Sequence, residues 1–172
     1  SNLSSRSKRR RPNNFDQQVA FFAALFACLA KIAKADGRVD EAEIKKIEEI
    51  ISSKLNLNKE HRHFAINIFQ KAKDDNVSFE AYASNLYQVL SSSPNSLLVF
   101  YEMLFELALA DGVLHPSEDD LLKQIPRIFR FDEKVYKSLY EKYVDKTNDY
   151  FKTLGVNENA SFNEIKKAYL KK

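Results

Sequence analysis

A single cysteine, Cys28, leaves this chain without an internal disulfide and without the thiolate set of a cysteine-based zinc site. That usage suits a reducing compartment. Tryptophan is absent, and glycine occurs only three times and proline four times in 172 residues, so few positions interrupt a helix. No stretch alternates apolar and polar residues with period two, which excludes an obvious strand. There is no phosphate-cradling glycine loop and no nucleophile elbow, so no enzymatic activity is expected. The longest unbroken apolar run, Val19 to Ala30, falls short of the roughly 20 residues of a membrane span and reads as a core helix. A polar stretch precedes it and no small-residue cleavage pattern follows, which argues against a secretory signal.

Charge is unevenly placed. The formal net charge is +3, but Arg6, Lys8, Arg9, Arg10 and Arg11 bring five positive charges before residue 15, and without them the rest stands at −2. The body is therefore mildly acidic, and nucleic acid is not an expected partner, because a nucleic-acid-binding domain spreads basic residues over a folded face. Residues 1–14 read as a basic, flexible linker. A juxtamembrane cytoplasmic segment is the second reading of this arm and a nucleic-acid arm the third.

What the chain does contain is one unit written twice. Ala35-Asp36-Gly37 with Glu43 behind it returns as Ala110-Asp111-Gly112 with Glu118 behind it. Upstream apolar residues correspond at the same offset, pairing Phe22 with Leu97, Leu25 with Phe100, Leu29 with Leu104 and Ile32 with Leu107. The offset exceeds a solenoid period of roughly 20 to 50 residues, so a pseudo-two-fold repeat inside one domain is expected.

Helical spacing accounts for the rest. Phe15, Val19, Phe22, Leu25, Leu29 and Ile32 mark a first helix stopped at Gly37. Asp40 with Glu43 forms a capping box for a second, which turns Ile44, Ile47, Ile50, Ile51 and Leu55 inward. A third runs from Asn58 to Lys73, and Ser78 caps a fourth. The fifth, about Ser96 to Ala110, repeats the first. Pro116 opens a sixth that Pro126 kinks or shortens, and Asp132 caps a seventh. The expectation is an all-α, compact bundle of about seven helices over residues 15–146. Two short helices follow in 147–172, where Ser161 and Glu164 make a second capping box.

Asp36, Asp40, Glu43, Asp111 and Glu118 are the acids the repeat singles out. Oxygen ligands at two facing turns could hold a hard divalent cation, Ca2+ or Mg2+. Helix stops and caps alone also explain an Asp, a Gly and a Glu in this order. The spacing is not that of an EF-hand, in which glycine occupies the sixth loop position. His61 and His63, two apart on a helix, face different ways and read as solvated surface. His115 reads as a loop residue and Cys28 as packing.

Two resemblances add to this reading. Asp149-Tyr150-Phe151-Lys152-Thr153-Leu154-Gly155-Val156, then Ala160-Ser161 and Glu164-Ile165-Lys166-Lys167-Ala168-Tyr169, resembles the opening of a J domain of the DnaJ family. In that family a basic second helix and a His-Pro-Asp turn engage Hsp70. The resemblance implies that Lys166, Lys167, Lys171 and Lys172 begin an Hsp70-binding face, and that 147–172, lacking the His-Pro-Asp turn, does not activate Hsp70 by itself. The doubled A-D-G-x-x-x-x-x-E pattern is similar to TerB-like domains, named for tellurite resistance, whose proposed metal-binding acids match Asp36, Glu43, Asp111 and Glu118. Where the first repeat has Asp40 the second has His115, which disfavours two equal sites.

A TerB-like body followed by a J domain is the arrangement of DjlA-type co-chaperones. It implies a soluble piece of a protein anchored in the bacterial inner membrane by an N-terminal span, its body on the cytoplasmic side. The expected partners are a DnaK-type Hsp70 and a protein client or regulator. The alternative is a metal-binding stress sensor.

Overall fold

The computed structural model describes residues 14–146, with side chains from Gln17 onward. Within it the backbone forms helices α1 (Asn14–Lys34), α2 (Glu41–Glu49), α3 (Lys59–Ala72), α4 (Phe79–Leu90), α5 (Pro94–Ala108), α6 (Pro116–Leu122), α7 (Ile125–Phe129) and α8 (Lys134–Tyr140). A π-helical turn extends α2 over Ile50–Lys54 and another extends α8 over Glu141–Asp145. No strand occurs among the described residues, and the fold is all-α. The side chain of Phe15 and the segment with Lys166, Lys167, Lys171 and Lys172 lie outside what is described.

Local chemistry sets most helix ends. The side chains of Asp40, Asn58 and Ser78 accept hydrogen bonds from the backbone N–H three residues on, at 2.8, 2.8 and 3.1 Å, each satisfying one orphan donor of a first turn. Pro126 ends the expected sixth helix and starts α7 instead of bending one helix, because proline is accommodated in a first turn and not in an interior. Asp132 acts one residue earlier than a regular cap: its Oδ1 accepts from Lys134 N at 2.9 Å, and α8 begins at Lys134.

α1 is the axis of the bundle and packs against α3, α4 and α5. From Leu25 to Ala30 all six of its residues are essentially removed from solvent, which explains why this helix is apolar on nearly every side. Gln17–Lys34 is long and apolar enough to cross a membrane by composition, with a mean hydropathy of 1.3, yet 56% of it is buried within the bundle. α5 repeats the role in the second half, burying Leu97, Phe100, Tyr101, Met103, Leu104, Phe105, Leu107 and Ala108. Tyr101 Oη donates to the carbonyl of Leu122 at 2.9 Å and ties α5 to the end of α6. Lys31 ties α1 to the α3–α4 turn, reaching Asp75 Oδ1 at 2.8 Å, while Tyr82 donates to the other oxygen of the same carboxylate.

Two expectations change in the core. Ile44 is 52% exposed, and the residue that faces inward from the first turn of α2 is Glu43. The inward stripe runs Glu43, Ile47, Ile50 and Ile51, and one residue on from Glu43 is a 100° rotation toward solvent. His61 is half-buried, with its ring 5.4 Å from that of Phe22, whereas His63 is exposed. Cys28 is fully buried, and burial pushes its thiol far above the ordinary value, so it is packing and not a nucleophile.

Candidate functional site

The two A-D-G turns have the same backbone construction. Ala35 N donates to Ile32 O at 3.2 Å and Gly37 N to Lys34 O at 2.9 Å; Ala110 N donates to Leu107 O at 3.0 Å and Gly112 N to Leu109 O at 2.9 Å. Both glycines have positive φ, +108° at Gly37 and +89° at Gly112, where an L side chain is strained. Each Asp then accepts from the backbone two residues on, Asp36 Oδ1 from Arg38 N at 3.4 Å and Asp111 Oδ1 from Val113 N at 3.0 Å. Each Glu reaches back to the residue before its helix: Asp40 N donates to Glu43 Oε1 at 3.1 Å, and His115 N donates to Glu118 Oε1 at 3.2 Å. The repeat seen in the sequence is a repeat of hydrogen bonds.

The fold brings these turns to one place. Glu43 and Glu118 are 4% and 2% exposed, the only buried charged-type residues among those described. Burial raises the carboxyl of Glu43 to about 8, and the charges of Asp40, Asp36 and Asp111 add to the rise against the lowering effect of its backbone hydrogen bond. Burial likewise raises Glu118 to about 9, helped by Glu43, Asp111 and Asp36. Each glutamate thus feels acids from the other repeat, so the five acids expected at the site form one electrostatic neighbourhood. Glu43 Oε2 is buried with no hydrogen-bond partner.

The halves differ in one residue. In the first, the Asp40 side chain caps α2, with Oδ1 accepting from Glu43 N at 2.8 Å. In the second, His115 stands before α6, and its Nε2 lies 2.8 Å from Asp111 Oδ2, so one carboxylate of the cluster has an imidazole partner. Both Asp36 and Asp111 keep to their own turns. Among the described residues no three His, Cys, Asp or Glu side chains are gathered as ligands of a metal ion. The donors nonetheless have the chemistry of a hard-cation site, since they are all carboxylates and one carries an orphaned buried oxygen.

Burial of the two glutamates was not anticipated, although a signal for it exists in the sequence. Glu43, Ile47 and Ile50 stand at i, i+4 and i+7, as do Glu118, Leu122 and Ile125. In each half the glutamate occupies the first place of the apolar stripe. Asp119, also unanticipated, anchors α8 to the site: Tyr136 Oη donates to its Oδ1 at 2.5 Å, and Lys123 pairs with its other oxygen at 3.2 Å.

Comparison with known proteins decides the family. The profile described as "Tellurite resistance protein TerB" matches residues 22–141. The chain belongs to the TerB family. That match begins inside α1 and ends in the last π-helical turn, so it takes in both acidic turns of the TerB body. The Co-chaperone protein DjlA of Photobacterium profundum is 31% identical over 185 residues, covering 94% of this chain and 66% of that protein. Its counterpart from Coxiella burnetii is 30% identical over 181 residues, covering 95% and 66%, and that from Vibrio vulnificus is 26% identical over 193 residues, covering 93% and 67%. The TerB chain therefore spans about two thirds of the length of these relatives. No solved structure matches it.

Proposed function

We propose that this chain is the TerB body and following segment of a DnaJ-type co-chaperone. The body receives a protein client or regulator, and residues 147–172 begin the J segment that recruits and stimulates a DnaK-type Hsp70. One observation carries the reading. The similarity to proteins named Co-chaperone protein DjlA covers 94–95% of the chain and so extends past the TerB match into the J-like stretch. The role is not enzymatic: the body contributes docking and the basic J helix contributes steering by charge. By the same resemblance the whole protein sits at the cytoplasmic face of the bacterial inner membrane, with the arginine-rich residues 6–11 beside the lipid. The test is the ATPase rate of a DnaK-type Hsp70 with a version of the protein carried through a complete His-Pro-Asp turn. Stimulation that is lost on changing that turn supports the reading, and an unchanged rate contradicts it.

A second reading concerns the acidic neighbourhood and rests on the buried, unpartnered Glu43 Oε2. Asp36, Asp40, Glu43, Asp111 and Glu118 would hold a divalent cation such as Ca2+ or Mg2+, whose charge would relieve the repulsion that raises both glutamates. Thermal melting with and without Ca2+ or Mg2+ tests it. A rise in Tm in the parent chain that is absent in Asp36→Ala/Asp111→Ala supports the site. A Tm that the cation leaves unchanged in the parent, as in the variant, removes it.

A further inference from the structure

Carboxylate oxygens that lack a partner are the ones a cation can take, and the two acidic turns differ in them. In the first turn each acid engages a single oxygen: Arg38 N donates to Asp36 Oδ1 at 3.4 Å, Glu43 N to Asp40 Oδ1 at 2.8 Å and Asp40 N to Glu43 Oε1 at 3.1 Å. Among the described residues Asp36 Oδ2, Asp40 Oδ2 and Glu43 Oε2 have no hydrogen-bond partner. In the second turn Val113 N donates to Asp111 Oδ1 at 3.0 Å, the imidazole of His115 lies 2.8 Å from Asp111 Oδ2, and His115 N donates to Glu118 Oε1 at 3.2 Å. At most one oxygen, Glu118 Oε2, is left there.

The three free oxygens of the first turn also lie at different depths. Asp36 is exposed, Asp40 is half-buried and Glu43 is buried. They step from solvent to the interior, and the innermost, Glu43 Oε2, is the one buried side-chain polar atom without a hydrogen bond among the described residues. A buried carboxylate oxygen left in that state is costly, and a cation would relieve it. A cation at the second turn would instead have to displace the imidazole from Asp111. We infer that His115 closes the second turn and that the acidic neighbourhood takes a single hard divalent cation on the first turn, held by Asp36, Asp40 and Glu43. The three are not gathered as ligands in the structure, and the exposed Asp36, held by its long contact to Arg38 N alone, is the side chain free to turn inward. His115 acts through Asp111 and is a positioning residue. This inference rests on the cation reading above and goes beyond it, because that reading shares the ion among the acids of both turns.

Amide NMR of the whole 172-residue chain, titrated with Ca2+ alone, reads both turns at once. Gly37 N and Gly112 N are matched reporters, each donating at 2.9 Å to the carbonyl three residues back. In the parent the Gly37 amide should shift with the ion while that of Gly112 moves far less. His115→Asp writes the residue of the first turn into the second and should make Gly112 shift as Gly37 does. Aspartate is favourable before a helix, so this variant is expected to fold. The reverse exchange, Asp40→His, should weaken the binding seen at Gly37 at least about tenfold, since changing even a group behind a metal ligand costs that much. The α1 amides, unmoved in both variants, report that the body is intact. No shift at either glycine in the parent would overturn the cation reading and this inference together. Equal shifts at both glycines in the parent, or a Gly112 that stays silent in His115→Asp, would overturn the inference alone and leave the cation reading standing.

Discussion

The first acidic turn and the second share their backbone hydrogen bonds within a few tenths of an ångström, yet they spend their side chains differently. Asp40 caps α2 in the first half, while His115 sits against Asp111 in the second. The upstream helices differ too, because the buried Phe26 of α1 has Tyr101 as its counterpart, and only the tyrosine carries a hydrogen bond to the next helix. What is kept is therefore the construction that stops one helix, turns and buries a glutamate at the start of the next. What varies is the polar group around that glutamate. Shared geometry with divergent polar groups is what a structural scaffold shows, and it leaves one half free to specialise.

The largest effect should come from the shared part. Gly37→Val and Gly112→Val each force a β-branched side chain to positive φ, at a cost of about 1–3 kcal/mol in urea unfolding, and the two costs should be similar. A much smaller loss at one glycine would show that the turns are not equivalent. Next, Tyr101→Phe makes the second half resemble the first. It should cost about 1–2 kcal/mol, because the buried carbonyl of Leu122 loses its partner. A smaller contrast is expected at the caps: Asp40→Ala should cost about 1 kcal/mol, and His115→Ala no more than about 0.5 kcal/mol. The contact between His115 and Asp111 is partly exposed and adds little to that.

Much of this was legible in the sequence because the signals are local. The A-D-G repeat, the Asp40, Asn58 and Ser78 caps and the apolar course of α1 each depend on residues within one or two turns. The parts that were missed depend on distance or on register. The capping-box and ligand readings of Glu43 leave its burial out, and Ile44 takes its place in the expected inward stripe, because a glutamate is not ordinarily a member of an apolar stripe. The π-helical turn at Ile50–Lys54, where Leu55 N donates to Ile50 O at 2.9 Å, keeps the adjacent Ile50 and Ile51 both inside, and it has no sequence signature of its own. The Lys31–Asp75–Tyr82 tie and the mutual influence of Glu43 and Glu118 join residues far apart in the chain. The gathering of the acids into one neighbourhood could be suspected from the repeat, but only the packing of the halves brings it about.

The most direct test of that neighbourhood is the pH dependence of stability in the parent chain and in Glu43→Gln/Glu118→Gln. Both carboxyls are raised in the folded state, to about 8 and about 9, from an ordinary value of 4.5. The folded protein therefore holds protons that the unfolded chain has released, and the unfolded chain binds fewer protons between those values. Stability from this source is fully present below about 4.5 and is lost as the pH rises through 8 to 9. The glutamine variant cannot titrate at these positions. Urea unfolding across pH 5 to 9.5 should thus show the variant gaining on the parent steadily as the pH rises. Parallel curves for the two proteins would contradict the account, because they would mean that the glutamates are neither buried together nor opposed by the acids of the other turn.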